Sequence, residues 1–263
     1  MSFWQTIKSA LVAPAKLGDS IKIKGWKAFL YLILLSIIMT IPLFNTISNS
    51  IQSVMNDGEK IGQSLPSFTI KSDQLQTKNE GYIYQTNHII FTFDPQNKRT
   101  VDEIKKDLNN NQIAIALQKN QLVMALPDNG VATALGIPNP VSASYKSLGA
   151  NGVSSKEVKQ FTQNNPFEDS LMFISLISCF LSALINLLFE LLITALAATF
   201  YSKLSLLPLK FGQNFKLCIF CNTWAVIISS LLQWFNTGSM IAGMMSLITL
   251  VFYFIAVQPM RQS

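Results

Sequence analysis

The sequence predicts a membrane protein, mainly α-helical, with four transmembrane helices and one inserted small α+β domain on the extracytoplasmic side. One helix is N-terminal and three are C-terminal. Three observations predict this. Of 263 residues, 49% are hydrophobic and only 13% charged, whereas soluble domains carry roughly 25% charged residues. The apolar residues gather in 1–47 and 170–263, leaving 48–169 ordinarily polar. The net charge of +6 sits beside the apolar stretches, where membrane insertion places cytoplasmic lysines.

Residues 1–27 read as a cytoplasmic N-terminus. Lys8, Lys16, Lys22, Lys24 and Lys27 stand there against Asp19 alone. Phe3, Trp4, Ile7 and Leu11 recur near helical spacing before Pro14, which predicts a short amphipathic helix on the inner surface. Residues 28–47 supply the roughly 20 apolar residues that a first span needs. This core is longer than that of a signal peptide and no A-x-A site follows, so an uncleaved anchor is expected.

Residues 48–169 hold eleven Lys/Arg and twelve Asp/Glu and form the outer domain. Tyr82–Phe93, rich in β-branched and aromatic residues, predicts a strand or a tight pair of strands ending at the Asp94-Pro95 turn. Thr100 with Glu103 has the spacing of a capping box. The helix it starts runs through Leu108 and stops at Asn109, Asn110 and Asn111. Ile113–Gln118 and Leu122–Leu126 predict a hairpin around Lys119-Asn120. Ser154 or Ser155 caps a last helix near Lys156–Gln163.

Residues 170–202 form the second span. Its apolar stretch Leu171–Thr199 has 29 residues, roughly 43 Å at about 1.5 Å per residue, more than a ~30 Å hydrocarbon core. It must tilt or project. Residues 203–216 form a basic cytoplasmic loop with Lys203, Lys210 and Lys216. Residues 217–235 and 240–258 are the third and fourth spans, joined by an Asn236–Ser239 turn. Positive-inside then puts both termini in the cytoplasm and 48–169 outside, in a cell membrane.

Few chemistries survive. His88 is the only histidine, which excludes a histidine-rich metal site. No Gly-rich phosphate loop, H-E-x-x-H or G-x-S-x-G occurs. No metal, cofactor or nucleic-acid partner is expected, and the chain does not read as an enzyme. Cys218-x-x-Cys221 reads as two small residues in a helix, since no further ligand cluster accompanies it. Asp94, Asp102, Glu103 and Asp107 read as turn, cap and solvated helix face. Tyr82 and Tyr84 read as strand packing.

Polar residues within the spans are the remaining candidates. Ser178, Ser182, Asn186, Glu190 and Thr194 lie four apart on the second span. Cys218, Asn222, Ala225, Ser229 and Gln233 share a face of the third. Ser239, Ala242, Ser246, Thr249 and Tyr253 share one of the fourth. Such rows are expected to face one another, because small and polar residues mediate helix contacts in lipid. Glu190 is the only acid inside a span, and charge there is costly. Asn186, Glu190 and Asn222 therefore form the candidate intramembrane polar site.

The Phe3-Trp4…Ser9…Pro14 stretch, the first span ending near Thr40-Ile41-Pro42, the run Ile89–Phe93 into Asp94-Pro95 with Thr100 and the hairpin, and the three-span C-terminus together resemble a known family. It is the bacterial membrane-protein family catalogued as domain of unknown function 1189, some of whose members are labelled maltodextrin-utilisation proteins. The resemblance implies a cell-membrane location and no known catalytic residues. Two readings follow. In the first, the chain is a non-enzymatic accessory or sensor protein linked to carbohydrate uptake, with the lipid bilayer and another membrane or envelope protein as partners. In the second, it is a small transporter or lipid-handling protein centred on Glu190.

Overall fold

The computed structural model describes residues 2–108, 112–127, 130–134, 136–234 and 241–261. The chain divides into two compact units. One comprises 1–48 with 170–263, the other 49–169.

The first unit is helical. Helix α1 (Phe3–Val12) opens with a capping box between Ser2 and Gln5, which satisfies two of the orphan N–H groups of its first turn. Pro14 sets the start of a 3-10 segment, Pro14–Lys22. Helix α2 (Gly25–Ser64) follows and contributes its first part to this unit. Helices α6 (Glu168–Leu204), α7 (Phe211–Cys221), α8 (Thr223–Trp234) and α9 (Ile241–Val257) complete it, with a closing 3-10 turn, Gln258–Arg261. Tyr31, Leu35, Leu187, Leu191, Leu217, Phe220 and Tyr253 form its core. α1 is not a lone surface helix. Phe3 and Ile7 pack on that core, Leu17 is fully buried, and Trp224 Nε1 donates to the Leu11 carbonyl at 3.1 Å.

Among the described residues, three helical stretches are long and apolar enough to cross a membrane: Gly25–Ser64, Glu168–Leu204 and Gly243–Arg261. The pair α7 and α8 would make a fourth, bent by 44°. α7 also starts earlier than the hydropathy suggests, at Phe211, inside the stretch expected as the basic loop.

The second unit is built on a five-stranded sheet. β3 (Tyr82–Gln85), β4 (Ile89–Asp94), β5 (Ile113–Gln118), β6 (Gln121–Ala125) and β7 (Val141–Ser144) lie in that order after a small hairpin of β1 (Thr69–Lys71) and β2 (Gln74–Gln76). The expected tight pair is β3–β4, and the expected hairpin is β5–β6. Only β4 and β5 run parallel, so α3 (Val101–Lys106) is their crossover. Side chains alternate across a strand, and β5 shows the result. Ile115 and Leu117 join a core with Phe91, Phe93, Phe68 and Tyr145, to which Ile61 of α2 also contributes. Ala114 and Ala116 face the other way, under Ile104 of α3. Alanine there leaves room for the helix to sit close. β4 is buried along its whole length because both faces are covered.

Two expected caps are present: Thr100 with Glu103 on α3, and Ser154 with Glu157 on α5 (Ser155–Asn164). α3 ends at Lys106, short of the expected Leu108, and Asn109–Asn111 lie outside the described residues. A short helix, α4 (Val131–Ala134), precedes β7. The β1–β2 hairpin and β7 carry too few alternating residues to stand out in the sequence.

Candidate functional site

Three hydrogen-bonded groups of polar side chains stand out in the helical unit. The most complete centres on Asn214 of α7, which is fully buried. Its Nδ2 donates to Thr199 Oγ1 at 3.1 Å and to Ser202 Oγ at 3.2 Å. Its Oδ1 accepts from the Tyr253 hydroxyl at 2.7 Å, and that hydroxyl also lies 3.2 Å from the Ala198 carbonyl. α6, α7 and α9 are thus stitched through one amide whose donor and acceptor ends are both used.

The second group surrounds the bend between α7 and α8. Asn222 occupies the break, with ψ near 0 where a helix needs about −42°. Its Oδ1 accepts from Thr249 Oγ1 of α9 at 2.8 Å, whereas its buried Nδ2 has no partner. Beside it, Thr223 Oγ1 donates to the Phe220 carbonyl at 2.6 Å and lies 2.9 Å from the Tyr31 hydroxyl of α2. Tyr31 in turn stacks on Phe220, 5.0 Å between centroids. Local side chains therefore hold part of the backbone that the bend disturbs.

The third group lies midway along α7 and is half-buried. Lys216 Nζ donates to the carbonyls of Ile21 and Ile23, at 2.6 and 3.0 Å. A cation there answers the exposed carbonyls at the end of the 3-10 segment.

The candidate site Asn186, Glu190 and Asn222 is not assembled as a unit. No hydrogen bond joins any two of these side chains. Asn222 is buried at the bend, and one carboxylate oxygen of Glu190, Oε1, is buried without a partner. Asn186 is exposed, as are Ser178 and Ser182. The expectation that this row of α6 faces its neighbours is therefore corrected at Ser178, Ser182 and Asn186, while Thr194 at its far end is buried. α6 carries two neighbouring four-residue rows. The one turned inward is Cys179, Ala183, Leu187, Leu191, Ala195 and Ala198, whose three alanines permit close approach. The rows of the third and fourth stretches do face inward at Cys218, Asn222, Ala225, Ser229, Thr249 and Tyr253. Ser239 lies outside the described residues.

Sequence reasoning missed Asn214, because it fell in the expected loop. It also missed Tyr31, whose partner Thr223 is 192 residues away.

Besides Asp94 of β4, the second unit buries Asp57 of α2 among its described residues. Its Oδ2 accepts from the backbone N–H of His88 at 3.1 Å and lies 2.9 Å from His88 Nδ1, while Lys60 Nζ reaches Oδ1 at 3.3 Å. Burial pushes the Asp57 carboxyl up, but the bonds from His88, Thr86 and Lys60 outweigh it and hold the carboxyl below its ordinary value. The pair fastens the β3–β4 turn to α2. Asp94 plays a similar structural part. Its carboxylate accepts from the backbone N–H groups of Lys98 and Arg99 and from Gln118 Nε2. Asp107 forms a two-pronged pair with Arg99, and these contacts raise the Arg99 pKa further. Tyr82 packs against Phe91 and Phe93, as the strand reading expects.

A cleft of about 240 Å³ opens beside β3 and β4, lined by Glu80, Tyr82, Thr92, Lys98 and Arg99 among others. No group of three His, Cys, Asp or Glu side chains that could hold a metal occurs among the described residues. Cys218 and Cys221 lie in the helical core as free thiols.

These features define a largely helical protein with apolar helices of membrane-spanning length and an inserted α+β module. The chain belongs to the family of proteins of unknown function DUF1189, whose model matches residues 4–257, nearly the whole length. No curated protein and no solved structure matches it.

Proposed function

We propose that this is a multi-pass cell-membrane protein with both termini in the cytoplasm and the 49–169 unit outside. That unit binds a partner or an envelope ligand, and the helical unit holds it in place. The role is that of a non-enzymatic accessory or sensor protein. One observation carries the membrane reading. Phe173, Ile174, Ile185, Phe189, Ile193, Leu196 and Phe200 all stay exposed along α6. They span ~40 Å of helix at about 1.5 Å per residue. Water does not tolerate such a band, whereas a bilayer solvates it. The lysine distribution supports the orientation. The maltodextrin-utilisation label that some members carry is the reason for placing the protein beside carbohydrate uptake.

Cysteine accessibility tests the topology, since the three native cysteines are buried. Lys78→Cys is expected to react with an impermeant maleimide on intact cells, and Lys203→Cys only after permeabilisation. The reverse pattern would overturn the orientation. Recovery of the protein in the supernatant after an alkaline carbonate wash would overturn membrane insertion. For the carbohydrate link, calorimetry with maltotriose on protein in lipid nanodiscs, free of maltoside detergent, is the direct test. Absence of heat would remove the sugar and leave a protein partner.

The bend at Asn222 favours a second reading, a small transporter or lipid-handling protein. A broken helix carrying an unpartnered buried amide nitrogen, in a unit that also holds the buried, unpartnered carboxylate oxygen Oε1 of Glu190, has the elements of an intramembrane polar path. Glu190→Gln separates the two readings. Complementation of a deletion strain at normal expression is expected under the accessory role. Loss of function with normal expression would install the transport reading instead.

A further inference from the structure

A cavity in the helical unit lies at its N-terminal segment, apart from the polar groups described above. It is a groove of about 650 Å³, within the size range of small-ligand sites. One wall is α1, with Gln5, Lys8, Ser9 and Val12. The other is the 3-10 segment, with Ala15, Lys16 and Asp19. Ala256, Pro259 and Met260 close the floor. We propose that this groove is a binding site for the phosphate headgroup of an anionic glycerophospholipid, with Lys8 and Lys16 as the ligating cations.

Three observations support it. First, the cations are uncommitted. Lys216 is occupied by the Ile21 and Ile23 carbonyls, and Lys22 lies 3.9 Å from Asp19. The side chains of Lys8 and Lys16 make no hydrogen bond or ion pair among the described residues, and both are exposed. The single acid in the wall, Asp19, has Lys22 beside it. Second, the rim is apolar where a headgroup site needs it. Trp4 and Val12 of α1 are 76% and 75% exposed. An outward tryptophan and valine on a short helix, with lysine beside them, suit the boundary between headgroups and acyl chains. Third, the groove is shaped by close packing. A Cβ on Gly18 would stand 3.2 Å from the Ala256 carbonyl and closer still to Met260, so the segment is seated directly on the end of α9. A phosphate between Lys8 and Lys16 would have its acyl chains directed toward Val12 and Trp4.

The proposal rests on the membrane reading, and the experiment keeps the two apart. Full-length protein is first confirmed in carbonate-washed membranes. It is then titrated in a neutral non-sugar detergent with phosphatidylglycerol or phosphatidylcholine and read by native mass spectrometry. Wild type is expected to retain phosphatidylglycerol in preference to phosphatidylcholine. Lys8→Gln with Lys16→Gln is expected to weaken phosphatidylglycerol binding at least ~10-fold, each lysine near an anionic surface being worth a few-fold in affinity. Lys8→Arg with Lys16→Arg is expected to preserve it. Lys203→Gln with Lys210→Gln, which removes the same charge away from the groove, is expected to leave it unchanged. Equal weakening by both Gln pairs would overturn the site in favour of diffuse surface charge. So would equal retention of the two lipids. Competition by millimolar glycerol 3-phosphate would overturn it in favour of a soluble phosphate ligand. A protein washed off membranes would remove the membrane reading itself. A membrane-embedded protein without selectivity removes only the groove.

Discussion

The two units bury opposite things. The 49–169 unit hides Phe68, Phe91, Phe93 and Tyr145 and leaves Lys and Glu at its surface. The helical unit hides Asn214, Asn222, Ser202 and Thr249 and leaves Phe173, Phe189, Ile193 and Phe200 exposed. In water the first arrangement is driven by removal of apolar area. The second has no such drive on its outer face. If lipid surrounds that face, cohesion there comes from small residues at α6 and from hydrogen bonds such as Tyr253 to Asn214. The same chain thus uses two rules, and equivalent mutations are expected to act differently in each unit.

The largest expected effect is in the sheet. Phe93→Ala deletes a ring that is 1% exposed and packs against Phe68 and Tyr82. Loss of such a core aromatic costs about 3–5 kcal/mol. Hydrogen exchange is expected to accelerate throughout β3–β6 while α7 and α9 keep their protection. Parallel loss in both units would show that they unfold as one and would break the comparison.

Next comes Asp57. Asp57→Asn keeps the shape, and its amide oxygen can still take both His88 contacts, but the charge is lost and an amide N–H₂ then faces the Lys60 ammonium. A cost of about 1–3 kcal/mol is expected, again confined to the second unit. The pH dependence has a fixed sign. The folded carboxyl titrates below its ordinary value of 3.8, so the unfolded chain binds more protons in that window and stability falls with falling pH. The contribution is complete above about pH 4 and is lost as pH drops through the depressed value. Asp57→Asn is expected to flatten this acid limb. An unchanged limb would assign it to other carboxylates.

In the helical unit, Asn214→Leu puts an apolar side chain into a buried position that water-soluble logic would welcome. It leaves the Tyr253 hydroxyl with the Ala198 carbonyl alone and removes the Nδ2 donor that Thr199 Oγ1 and Ser202 Oγ share. Hydrogen bonds between membrane helices average below 1 kcal/mol, so about 1–2 kcal/mol is expected for this multiply bonded amide. Thermal unfolding in detergent measures it. A stabilised Asn214→Leu protein would show that the network is dispensable for packing and would point to use in function.

Legibility in the sequence follows the same division. Signals written within a few residues came through: the Thr100–Glu103 box, the Lys119-Asn120 hairpin and the length of the apolar runs. The bend at Asn222 did not, because no Pro or Gly marks it and Asn is an ordinary residue in such a run. Asp57 and His88, 31 residues apart, meet only through the fold. The orientation of α6 failed for a specific reason. Its polar row and its alanine–leucine row are adjacent, about 100° apart around the helix, and a polarity argument selects the former. Close packing selected the latter, since Ala183, Ala195 and Ala198 admit a neighbouring backbone that Asn186 does not.

That choice makes Asn186→Leu the smallest and most discriminating prediction. The side chain is exposed and bonded to nothing described. If lipid surrounds it, replacing an amide by leucine removes a polar group from hydrocarbon, and stability is expected to hold within about 0.5 kcal/mol or rise. Membrane levels and the melting midpoint in detergent check this. A clear loss would mean that Asn186 is covered in the native assembly by a helix from another subunit or partner. The row Ser178, Ser182 and Asn186 would then be an interface, and the exposed face of α6 would no longer contrast with the buried polar groups of α7 and α9.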